Sequence, residues 1–150
     1  MENKKILFLV EPIFFGSRYT ESCLELDIEP IIILRKEKEN LIDIRDRIVL
    51  YTDVTSVENV ISSIENFIQD RKIKDTEMGI LQGNEYSGSV VSKVAKHFGW
   101  VGINYNASEI SHYKNLMRLA IQKINPSLNP KFKICTGMTF EDNTIDGFKF

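Results

Sequence analysis

Four short apolar runs, separated by amphipathic stretches, organise this chain. Lys5 to Val10 leads, Ile31 to Leu34 follows Pro30 and is rich in β-branched residues, Arg47 to Tyr51 is shorter, and Met78 to Gln82 is the fourth. Continuous apolar runs of this length suit strands covered on both faces, as in a parallel sheet between helices. Between the runs the period lengthens. Val57, Val60, Ile61, Ile64, Phe67 and Ile68 share one helical face, with Glu58, Glu65, Asp70 and Arg71 left for water and Asp53 or Thr55 as the expected start. Val90, Val91, Val94, Ala95 and Phe98 mark a second core-facing helix, which Gly99 stops. A helix after the first strand is predicted from Tyr19, Cys23 and Leu26, with Gly16 and Ser17 as its turn and N-cap. The charged stretch Arg35 to Asn40 reads as a solvated loop, and Trp100 to Ile103 as a fifth short strand.

Strands alternating with helices imply an α/β fold, a three-layer α/β/α Rossmann-like parallel sheet, over residues 1–106. In residues 107–150 a last helix is expected from near Ser108, with Ile110, Tyr113, Met117, Ala120, Ile121 and Ile124 on one stripe. Lys114, Asn115, Arg118 and Gln122 take the other side. Asn125, Pro126, Asn129 and Pro130 end the helical pattern, since proline lacks a donor and clashes with the preceding turn. An extended segment, Phe132 to Cys135, and an acidic, turn-prone tail, Glu141 to Gly147, follow.

Composition narrows the function classes. The 150 residues, 43% hydrophobic and 27% charged, are enough for one domain to bury a core without cross-links. A net charge of −2 and the lack of a basic tract argue against nucleic acid as partner. No apolar run approaches the ~20 residues of a bilayer span, so a cytoplasmic protein that does not contact membrane is expected. Cys23 and Cys135 stand far apart, and His97 and His112 have no thiol or acidic neighbour in sequence, so no metal site is predicted.

Candidate chemistry gathers after the first and fourth strands, where an α/β sheet presents its ligand-binding edge. The first loop, EPIFFGSRY, has one glycine, so a G-x-G-x-x-G dinucleotide site is excluded. Gly16, Ser17 and Arg18 can still anchor a substrate, with Arg18 as partner to a carboxylate or phosphate. Gly83, Asn84 and Glu85 hold the matching position after the fourth strand. There Glu85 suits either a helix's first turn or a substrate amine or hydroxyl. Phosphate-loop, nucleophile-elbow and zinc-protease motifs do not occur.

The succession GNEYSGSVVSKVAKHFGWVGINYNASEISHYKNLMRLAIQKINPSLNPKFKI, read with ILFLVEPIFFGSRYTESCLELDIEPIIIL before it, resembles the start of the ATP-grasp ligases. It looks like a pre-ATP-grasp domain plus linker helix, in the branch that includes biotin carboxylase, carbamoyl-phosphate synthase and amino-acid ligases. The resemblance implies that Lys114 and Arg118, followed by Pro130 and Phe132, contact ATP. It also implies small carboxylate and amine substrates and, in the complete protein, ATP and Mg²⁺. The second nucleotide-binding Lys, the Gly-rich flap and the acidic Mg²⁺ ligands would belong to segments after Phe150. These residues alone are therefore expected to be an inactive fragment that binds neither cofactor tightly, with a homodimer among the assemblies allowed. The alternative is a free-standing Rossmann-like module that binds a small ligand or regulates, and a weaker third is a structural interaction domain.

Overall fold

A computed structural model describes residues 5–132 and 134. Four parallel strands, β1 (Lys5–Val10), β2 (Ile28–Leu34), β3 (Ile48–Tyr51) and β4 (Met78–Gln82), lie side by side in the order β3-β2-β1-β4. The expected α/β architecture is therefore present. β2 begins before Pro30, which pairs with Leu7 of β1. This costs little, because β3 joins β2 only from Ile31 onward and the missing donor falls where that side is still an edge.

Alternation along the strands sends side chains into two apolar layers. Ile6, Phe8, Val10, Ile31, Ile33 and Ile80 face α2 (Val57–Asp70) and α3 (Gly88–Phe98), which contribute Val60, Ile64, Phe67, Val91 and Val94. Phe8 anchors this layer, packing edge-on against Phe67 at 5.8 Å and stacking on Trp100 at 5.7 Å. On the opposite face Ile32 and Leu34 pack with Ile13, Ile42, Ile44 and Val49, and α1 (Arg18–Glu25) also lies against β2. The three layers follow from the doubly apolar strands.

Several local expectations change. α2 is capped by Ser56, whose hydroxyl accepts the Asn59 N–H, while Asp53 accepts from the Thr55 N–H and hydroxyl instead. On α1 the buried face is Thr20 and Cys23; Tyr19 is exposed and Leu26 is 71% exposed, because the helix has already ended at Glu25. Burial raises the Cys23 thiol pKa. Arg35 to Asn40 is a loop only in part, since Lys36–Leu41 winds into a 3-10 turn. Trp100 to Ile103 is not a strand: Trp100 stacks on Phe98 at 4.4 Å, and Val101 stands 98% exposed.

The single helix expected from Ser108 is two helices, α4 (Tyr105–His112) and α5 (Lys114–Ile124). Asn104 caps α4 through the Asn106 and Ala107 N–H groups, and extended backbone at Tyr113 (φ −93, ψ 112) breaks the run. α5 ends where Asn125 caps a 3-10 turn at Pro126–Leu128, as the prolines foretold. Cys135 and the tail Glu141 to Gly147 lie outside the described residues.

Candidate functional site

Strand order reverses between β1 and β4, because the chain moves outward from β1 through β2 to β3 and then returns to the other side of β1. The loops leaving β1 and β4 must therefore part in different directions, and a crevice opens at the carboxyl ends of the two strands. Val10 pairs with Gln82, and the Gly83 N–H donates to the Val10 carbonyl at 2.7 Å, so both loops start from the same level.

Glycine is required where they touch. A Cβ on Gly16 would run into the Gly83 carbonyl, and one on Gly83 would run into Pro12 and the Glu11 carbonyl. These neighbours are backbone and cannot swing aside. The result is a cleft of about 500 Å³ lined by Ile13, Phe14, Gly16 and Tyr19 from one loop and Gln82 through Tyr86 from the other.

Glu11, at the end of β1, locks this crossing. Its carboxylate, 4% exposed, accepts a bidentate pair from Arg35 at the end of β2, with Nε at 2.6 Å and the second nitrogen at 3.1 Å. That fork geometry suits guanidinium and carboxylate, and the hydrogen bond to Glu11 raises the Arg35 pKa further. Asn84 closes the network from the β4 side by donating its amide to the Glu11 carbonyl at 3.2 Å and carboxylate at 3.4 Å. The backbone at Glu11 (φ 44) and Phe14 (φ 52) is left-handed, which costs on the order of 1 kcal/mol at each residue and which these contacts hold in place.

The predicted site residues divide. Gly16, Gly83, Asn84 and Glu85 meet in the cleft. Asn84 has its hydrogen-bonding groups committed to structure, since its side-chain oxygen also accepts the Tyr86 and Ser87 N–H groups. Ser17 does not cap α1; its hydroxyl donates back to the Phe14 carbonyl at 2.6 Å. Arg18 is exposed at the start of α1 and does not line the cleft. Lys114 is exposed at the first turn of α5, one step past the Tyr113 break, and Arg118 is tied to Asn129, which accepts from its guanidinium at 3.4 Å and donates to its carbonyl at 2.7 Å. α4 reaches the cleft rim, where the His112 ring meets Tyr86 edge-on at 6.0 Å. The other histidine, His97, faces Glu65 at 3.5 Å.

Sequence reasoning missed Glu11 and Arg35. The available signal was positional: opposite charges stand one step beyond two adjacent apolar runs, so parallel pairing of those runs brings them together. Among the described residues, no group of three His, Cys, Asp or Glu side chains could hold a metal, and no helix is long and apolar enough to cross a membrane.

No protein-family model matches the chain, and no curated protein matches its sequence. Its structure is similar to the crystal structure of L-amino acid ligase from Bacillus licheniformis, with a TM-score of 0.61 and 12% identity over 82% of this chain and 31% of that one. It is also similar to phosphoribosylglycinamide synthetase from Anaerococcus prevotii, with a TM-score of 0.54 and 19% identity over 81% of this chain and 29% of that one. The chain thus spans less than a third of either enzyme's length. At these identities the likeness is one of fold, the α/β parallel sheet expected from the sequence.

Proposed function

We propose that the chain acts as the pre-ATP-grasp portion of an ATP-dependent carboxylate–amine ligase. The observation that carries this reading is the meeting of the Gly16 and Gly83 loops at the sheet's switch point, within a fold shared with two ligases. ATP, when bound, would supply the phosphoryl group that converts a carboxylate to an acyl phosphate, from which an amine displaces phosphate. The contribution of this chain is positioning. The cleft holds a substrate, and Lys114, exposed two residues after the His112 that packs on Tyr86, offers an ammonium to phosphate oxygens. Arg118 steadies the turn after α5 through Asn129 and is the weaker candidate for nucleotide.

Mg²⁺ does not fit the described residues, which gather no acidic ligand set, so no step is assigned to it here. The reading places the protein in the cytoplasm, with small-molecule substrates and a homodimer among the assemblies it permits. Because the chain corresponds to less than a third of the ligases it is similar to, the 150 residues by themselves should release no ADP. ADP formation that tracks this polypeptide through purification would contradict that.

The test is Lys114→Ala in the complete ligase. Losing one charge-assisted contact to phosphate should lower ATP affinity or turnover about ten- to a hundredfold. Melting temperature should hold, because Lys114 is exposed. Unchanged nucleotide affinity would return Lys114 to an ordinary solvated lysine. A second reading is a free-standing module that uses the same cleft for a small ligand. It predicts small-molecule binding that is indifferent to ATP.

A further inference from the structure

The cleft between the Gly16 and Gly83 loops has the wrong polarity for an anion. Several of its backbone donors are spent within the fold: Ile13 N–H goes to the Glu11 carbonyl, Gly16 N–H to the Ile13 carbonyl, and Gly83 N–H to the Val10 carbonyl. Tyr86 and Ser87 N–H groups go to the Asn84 side chain. Among the described residues no lysine or arginine lines the space, and the nearby Arg35 is engaged by Glu11 through two hydrogen bonds. A phosphate or carboxylate would lose part of its water there and meet no side-chain cation in return.

What the walls do offer is one carboxylate and aromatic faces. Glu85 is exposed at the cleft and has no hydrogen-bond or ion-pair partner among the described residues. Phe14 and Tyr86 stand 70% and 76% exposed on opposite loops, and Tyr19 is also partly open. Rings present their negative faces to a cation, and a carboxylate complements the same charge.

We infer that this cleft selects an organic ammonium with an apolar body, its charge at Glu85 and its body against Phe14, Tyr19 and Tyr86. The inference rests on the reading of the cleft as a substrate site, and within that reading it assigns the cleft to the amine rather than the carboxylate. Of the expected substrate-binding residues it gives the charge-recognising role to Glu85, which lines the cleft, and not to Arg18, which does not.

Phenethylamine, 3-phenylpropionate and inorganic phosphate, titrated separately into the ¹⁵N-labelled 150-residue protein at constant ionic strength, decide the matter. Phenethylamine should shift the Gly16, Gly83, Glu85 and Tyr86 amides, and Glu85→Gln should weaken that binding at least about fivefold. Glu85 is exposed and unpartnered, so Glu85→Gln keeps the fold, and an unchanged spectrum elsewhere verifies it. If 3-phenylpropionate or phosphate moves the cleft amides as strongly as the amine, the cation preference is wrong while the cleft survives as a substrate site. Amine binding indifferent to Glu85→Gln also overturns the inference. If no probe moves these amides, the inference falls and the substrate reading of the cleft falls with it.

Discussion

α2 and α5 carry similar amphipathic patterns, yet they do different things with them. α2 buries Val60, Ile64 and Phe67 against the sheet, whereas no residue of α5 is buried: Leu116 and Leu119 are exposed and Ile124 is 85% exposed. Among the described residues the main neighbours of α5 are α4 and the 3-10 turn after it. Periodicity tells that a helix has an apolar side, and topology decides whether anything covers it. The sheet, α2 and α3 therefore form a unit held by burial, while among the described residues α5 is held by its own hydrogen bonds, by α4 and by Asn129.

The largest effect that would break this contrast is a cavity. Phe8→Ala should cost about 4 kcal/mol, since Phe8 is fully buried between Phe67 and Trp100. Ile124→Ala should stay within about 0.5 kcal/mol. Urea unfolding of both variants measures the difference. Native-state hydrogen exchange extends it: α2 amides should open with the global free energy and α5 amides well below it. Equal protection of the two helices would mean that α5 is part of the core unit after all.

Next in size is the Glu11–Arg35 pair, which ties the cleft to the core. Arg35→Met keeps the stem but leaves the Glu11 carboxylate buried without its cation, and about 3 kcal/mol should be lost. Glu11→Gln with Arg35→Met should recover part of that loss, because no uncompensated charge remains. A double-mutant cycle with no coupling would show that Asn84 and water serve Glu11 well enough alone.

Much of the sheet unit was legible because its cues are local. The apolar runs Lys5 to Val10 and Met78 to Gln82 coincide with β1 and β4, and the stripe from Val57 to Ile68 lies within α2. Gly99 ends α3 in the left-handed conformation (φ 69), as a glycine stop should. What stayed hidden depends on partners distant in sequence. Trp100 has the composition of a strand start, but the stacking rings of Phe8 and Phe98 claim it. The apolar stripe from Ile110 to Ile124 runs unbroken in sequence, and nothing in it marks the extended backbone at Tyr113. In the cleft, the glycines at 16 and 83 pointed to the loops, but the bridge from Asn84 to Glu11 joins residues 73 positions apart and has no local signature.

The smallest effect bears on how each helix begins. Ser56 has extended backbone and a hydroxyl that accepts the Asn59 N–H, so α2 starts with one orphan donor satisfied; Tyr113 has a comparable backbone and no side-chain cap for α5. Ser56→Ala should cost about 1 kcal/mol, read as a lower urea midpoint with unchanged slope. Tyr113→Asn should give the opposite sign for α5, because the backbone is already in the capping region and asparagine supplies the missing acceptor. The gain belongs to a helix outside the core, so it should appear as slower exchange of the first α5 amides and leave the urea midpoint nearly unmoved. If Tyr113→Asn raises the global midpoint by as much as Ser56→Ala lowers it, α5 unfolds together with the sheet, and the two-unit account of the molecule is wrong.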